Sequence, residues 1–190
     1  MRVCLTGGIA CGKSLLSRYL NELGVETIDA DDIVHELLPD PAERRRIASE
    51  VFADPAKRQA LEAKIHPLVK ARIDAFLSSG SGNSSDSSSS RPSSRTASLR
   101  LAVIPLLFET HWDSEYDIIC CVASERETQI SRMTTTRGYT REEAEARLAA
   151  QLPIEEKAAR SHYVIDNNGT VEELKTNAKR LVNWLEAKSL

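Results

Sequence analysis

The 190-residue sequence has no apolar run long enough to cross a membrane; its longest, residues 101–104 and 118–122, have the length of strands. It has no surplus of positive charge either. The 25 Lys and Arg stand against 28 Asp and Glu, a formal net charge of −3 with no basic stripe, which argues against a nucleic-acid partner. Cysteine is scarce: Cys4, Cys11, Cys120 and Cys121 show no CxxC spacing and no disulfide framework. Three of them lie in apolar runs, where a reduced cysteine is a small hydrophobe. No second His, Cys or carboxylate accompanies His66 at metal-ligand spacing, so a zinc site there is rejected. The opening apolar run meets Gly7, Gly8 and Lys13 before it reaches signal-peptide length, and a cytoplasmic location is the expectation.

What is present is an ordinary globular composition, 41% hydrophobic and 28% charged, on a chain long enough for one domain with a core. Residues 2–6 read as a buried strand that runs into glycines. Helical spacing follows over 14–23 and stops at Gly24; residues 25–28 form a second strand that ends at Asp29-Ala30-Asp31-Asp32. That succession is a βαβ unit, which implies a parallel sheet. Residues 41–77 read as helical in pieces, with Pro41, Pro55 and Pro67 each at a helix start, where the missing N–H costs nothing. Residues 78–98 are a Ser- and Gly-rich tract of low complexity, expected to be disordered. Strands return at 101–104, 118–122 and 162–165, with polar helices over 125–136, 140–151 and 154–160 and a final helix over 171–187. The expected fold is therefore α/β, a three-layer sandwich around a five-stranded parallel sheet.

One motif carries the chemistry. Gly7-x-x-x-x-Gly12-Lys13-Ser14 matches the Walker A pattern, which composition alone would produce at roughly one position in thirty thousand. It follows a strand and opens a helix, as a phosphate-binding loop must. Residues Gly8, Ile9, Ala10, Cys11, Gly12, Lys13, Ser14 and Leu15 are therefore expected to bind ATP. Backbone N–H groups would wrap the β-phosphate, Lys13 would supply a mobile charge for the β- and γ-phosphates, and the Ser14 hydroxyl would hold Mg²⁺. Cys11 sits inside this loop, where N–H dipoles would lower a thiol pKa; the alternative is a merely permissive position.

The blocks 5–14 and Ile28-Asp29-Ala30-Asp31, together with Ile65-His66-Pro67-Leu68, Pro105-Leu106-Leu107-Phe108-Glu109 and residues 164–169, resemble the dephospho-CoA kinase family. Their order and rough spacing agree over nearly the whole chain. The resemblance implies ATP-dependent phosphorylation of the 3′-hydroxyl of dephospho-CoA on a P-loop kinase fold. The core would be residues 1–37, 97–124 and 161–190, the helical acceptor-side subdomain 38–96, and the helical lid 125–160. It also implies an acceptor site at Asp29, His66, Pro105, Leu106 and Glu109, and a lid arginine at Arg137. Two departures stand out: a helix-sized segment lacking between Asp32 and Glu43, and the Ser-rich tract.

Each candidate has a plainer alternative. Asp29 and Asp31 are two apart at a strand end, so both carboxylates would face the cleft, Asp31 as the base and Asp29 second; the alternative is helix capping. Glu109, beyond the third strand, would touch acceptor or Mg²⁺ or else be a surface charge. His66 would contact acceptor or simply pack or cap. Arg132, Arg141 and Arg147 are mostly solvated charges paired with Glu142, Glu143 and Glu145. Residues 166–169 are an adenine-side loop or an ordinary turn.

Overall fold

A computed structural model describes residues 1–40, 42, 46–47, 54–79 and 99–189. The elements run β1 Val3–Gly7, α1 Lys13–Glu22, β2 Glu26–Asp29, α2 Ala30–Leu37, α3 Pro55–Ser78, β3 Arg100–Val103, β4 Ile118–Ala123, α4 Arg126–Arg137, α5 Arg141–Ala149, α6 Ile154–Ala159, β5 Tyr163–Asp166 and α7 Val171–Lys188. The five strands are all parallel, in the order β2-β3-β1-β4-β5. The expected α/β three-layer fold is what forms. β1 lies at the centre; the chain builds β2 and β3 on one side of it and then crosses to build β4 and β5 on the other. A ligand site in such a sheet opens beyond the strands' carboxyl ends at this switch of sides.

Strand alternation divides the core in two. Val3 and Leu5 of β1 pack with Leu16 and Leu20 of α1 and Leu174, Leu181 and Leu185 of α7. Cys4, between them, packs on the opposite face with Ile33 of α2, Val69 and Ile73 of α3, and Phe108. Each of these fully buried aliphatic side chains contributes about 1.5–3 kcal/mol over exposure. The small Cys4, Cys120 and Cys121 let both layers close on the central strands, and all three are buried as expected.

Two local expectations change. The strand ends at Asp29 and α2 begins at once, its start capped by the Asp29 side chain, which accepts a hydrogen bond from Asp31 N–H at 2.9 Å. Pro67 does not start a helix: α3 runs unbroken from Pro55, capped by Asp54, through Pro67 to Ser78. Proline there removes the N–H that would reach the carbonyl of Ala63, but Ala63 is exposed, so water can take that carbonyl. The Ser-rich tract from residue 80 onward, and the Glu43-Arg44-Arg45 segment with Pro41, lie outside the described residues.

Candidate active site

β1 delivers the chain into a loop that ends where α1 begins at Lys13. Gly7 has φ +147, and a Cβ there would stand 2.3 Å from the Val122 carbonyl oxygen. Gly12 has φ +94, and its Cβ would meet Asn167 Nδ2 at 2.2 Å. Both positions of the motif thus require glycine for space as well as for backbone conformation.

Every carbonyl of the loop has a donor. Lys13 Nζ donates to the Gly7 and Gly8 carbonyls, each at 2.8 Å. Gln129 Nε2 donates to Ile9 O at 2.9 Å, Arg132 to Ala10 O at 3.3 Å, and Asn167 Nδ2 to Cys11 O at 2.8 Å. Leu16 N–H takes Gly12 O at 3.0 Å. The backbone N–H groups of Ala10, Gly12, Lys13 and Ser14, by contrast, have no partner among the described residues. All four residues line one cleft of about 490 Å³. A loop whose carbonyls are tied off and whose N–H groups remain open, at a helix start, binds anions.

The same cleft is lined by Asp29, Asp31, Pro105, Arg132, Arg137 and Gln151. Burial lowers the Lys13 pKa, and Lys157 adds to this; the nearby Cys11, Asp31 and Asp29 pull the other way. A cradle holding a desolvated ammonium gains from an incoming anion. Burial raises Asp29, partly offset by the hydrogen bond from Asp31 N–H. Asp31 and Ser14 are exposed to the cleft solvent. The two aspartates do not share a strand, as the spacing had implied. They meet in the cleft because α2 starts immediately after β2, with Asp29 as cap and Asp31 in the first turn. Arg137 ends α4, just before Gly138 in the left-handed conformation, and has no carboxylate partner among the described residues.

Other expected site residues lie elsewhere. Glu109 pairs with Lys157 of α6 at 2.7 Å and accepts from Leu152 N–H at 3.0 Å, so it is neither a surface charge nor a wall of this cleft. His66 packs edge-on against Trp112, ring centroids 5.1 Å apart. Leu106 is exposed and does not line the cleft. Cys11 is fully buried, and burial pushes its thiol up against the pull of Lys13, the reverse of the expected lowering. Arg132 is no solvated charge: besides Ala10 O it donates to Asn167 O at 2.7 Å and Ser124 Oγ at 3.0 Å. Arg141 does pair with Glu145, and also with Glu127.

Sequence reasoning passed over Gln129, Gln151 and Lys157. Gln151 accepts from Ile9 N–H at 3.0 Å, and Lys157, fully buried, donates to Pro105 O at 2.9 Å. The one available signal was Lys157, a lysine at a position where α6 turns toward the sheet; the glutamines carry none. Asn167 and Gly169 line a smaller hollow beside Gly12, Leu15 and Arg132, of about 200 Å³.

The sequence profile of the family described as dephospho-CoA kinase matches residues 1–43 and 40–173. The two matched stretches overlap at residues 40–43. A dephospho-CoA kinase of Geobacter sulfurreducens is 38% identical, over 93% of this chain and 94% of its own. A solved structure from Thermus thermophilus superposes with a TM-score of 0.76 at 30% identity, covering 97% of both chains. A dephospho-CoA kinase from Campylobacter jejuni, 21% identical, shares the fold with a TM-score of 0.67, over 100% of this chain and 98% of its own. With the phosphate loop, the acidic pair and these matches together, the chain belongs to the dephospho-CoA kinase family.

Proposed function

We propose that this protein transfers the γ-phosphoryl group of ATP to the 3′-hydroxyl of dephospho-CoA, giving CoA and ADP. The observation that carries this is the open N–H array of the phosphate loop, facing a cleft shared with Asp31 in a chain of this family. Residues 8–15 bind ATP, with Lys13 tracking the β- and γ-phosphates. Asp31 accepts the proton of the attacking hydroxyl. The new O–P bond then forms in line with the breaking bond to the β-phosphate, and ADP leaves. Its exposure and its place in the first turn of α2 support this role, whereas Asp29 is engaged as a cap. Arg137 balances charge on the transferring group, for which its lack of a carboxylate partner among the described residues suits it.

Mg²⁺ fits the donor set, which is hard oxygen: the Ser14 hydroxyl with the Asp29 and Asp31 carboxylates on the same cleft. Ser14 would hold it, and it would neutralise charge on the phosphates. Asp29 and Pro105, which line the cleft, form the near wall of the acceptor site, whereas His66, Leu106 and Glu109 do not line it. Release of ADP with dephospho-CoA as acceptor, compared with AMP, UMP and shikimate, tests the assignment. Turnover confined to dephospho-CoA is expected; turnover of another acceptor in its place overturns it.

A further inference from the structure

We propose that Gln151 is a ligand of the transferring phosphate, its carboxamide nitrogen donating to an oxygen of the ATP γ-phosphate. This rests on the phosphate-loop assignment but not on the identity of the acceptor.

Gln151 lies in the turn between α5 and α6, and its side chain lines the phosphate cleft beside Lys13, Ser14 and Arg137. Its Oε1 accepts from Ile9 N–H at 3.0 Å. That bond fixes the orientation of the carboxamide, because turning it over would set two donors against each other. The oxygen therefore faces the loop and the NH₂ faces away from it. That nitrogen has no hydrogen-bond partner among the described residues. Gln129 makes the contrast. It is buried, and its own NH₂ is consumed by Ile9 O and by Cys11 Sγ. The two glutamines grip Ile9 from opposite sides, yet only Gln151 keeps donors for a ligand.

The position is also held in advance. The next residue, Leu152, donates its N–H to Glu109, which is itself fixed by the buried Lys157. A donor preorganised in this way stabilises charge without reorganising during the reaction. The β-phosphate takes the N–H groups at the start of α1, from Gly12 to Ser14. Gln151 stands at the other limb of the loop, at Ile9, and lines the same cleft as Arg137, so the γ-phosphate is the group assigned to it.

Two variants test this. Gln151→Glu keeps an acceptor for Ile9 N–H at the same length but replaces the donors with negative charge; Gln151→Met keeps length with neither. Calorimetric titration with ATP–Mg²⁺ and with ADP–Mg²⁺, no acceptor present, reads the γ-phosphate contact alone. We expect ADP affinity within about twofold of wild type in both variants, since the β-phosphate contacts are intact. ATP affinity falls about tenfold or more in Gln151→Glu and less in Gln151→Met, and kcat falls on the order of a hundredfold. Thermal unfolding midpoints stay near wild type. Equal loss of ATP and ADP affinity would mean that Gln151 only shapes the loop, and unchanged ATP affinity would mean no phosphate contact; either overturns the proposal. Wild-type protein that bound neither nucleotide would sink the phosphate-loop assignment itself, a different result.

Discussion

Replacing Lys157 by methionine should destabilise this protein far more than an ordinary lysine change. The ammonium is fully buried, 2.7 Å from Glu109 Oε1 and 2.9 Å from the Pro105 carbonyl. Methionine fills nearly the same volume, so the cavity contribution is small and the lost charge dominates. Glu109 would keep only the Leu152 N–H, while its Oε2 is already buried without a partner. Removing one member of a buried pair costs about 3–5 kcal/mol, and because the Glu109 side chain is 20% exposed, solvent screening brings the expectation to about 2–3 kcal/mol. At roughly 2–4 °C per kcal/mol for a chain of this size, the unfolding midpoint should drop by about 5–10 °C. Pairing the change with Glu109→Gln removes the stranded charge, so the double variant should regain a large part of the loss. Urea and thermal unfolding of the two singles and the double measure this. A Lys157→Met variant within about 0.5 kcal/mol of wild type, or a double variant less stable than Lys157→Met alone, would refute the reasoning.

Lys13→Ala should lower turnover on the order of a thousandfold, with the far-UV circular dichroism of wild type, since the residue completes a phosphate site rather than the core. Asp31→Asn should retain ATP binding and lose about 10²–10⁴ in kcat, and a larger loss in Asp29→Asn would reverse the roles of the pair. Asp29→Asn has its own stability signature. Burial raises the Asp29 pKa, so the folded protein holds that proton more readily than the unfolded chain. The carboxyl thus contributes most below the unfolded carboxylate range, and that contribution is lost as pH rises through the folded value. Asparagine keeps the cap without the buried charge. The variant should therefore equal or exceed wild type in urea at pH 7, with the difference closing by about pH 4.

The parts of this molecule legible in sequence are those whose cause is local. The phosphate loop is a fixed spacing of Gly and Lys, and the central strands β1, β3 and β4 carry short apolar runs, so both are legible in the right order. α2 was hidden because Asp29-Ala30-Asp31-Asp32 looks like an acidic turn, although Ile33, Val34 and Leu37 already carry helical spacing. Pro67 reads as a helix start by proline's local preference, but the carbonyl it orphans belongs to exposed Ala63, so the helix continues through it. The groups that shape the loop were beyond reach for another reason. Gln129, Arg132, Gln151 and Asn167 bond the loop across 120, 122, 142 and 156 residues of sequence, and neither glutamine has any periodic or motif signal.

These long-range bonds also explain why two arginines on one helix cannot do the same work. Arg132 is fastened at Ala10, Ser124 and Asn167, so it is a strut between α4, the phosphate loop and the turn after β5. Five residues later, about 7.5 Å along the helix axis, Arg137 stands exposed at the end of the helix. α5 follows, set by the Thr140–Glu143 capping box and tied back to α4 by the Arg141–Glu127 pair. Motion of α4 as a whole would pull Arg132 off the carbonyl of Ala10 and disturb the loop. Motion of the Arg137 side chain about its own rotors disturbs nothing. Arg137, exposed at the end of a helix whose other half is fastened to the loop through Arg132, can therefore turn toward a charge in the cleft without disturbing the loop.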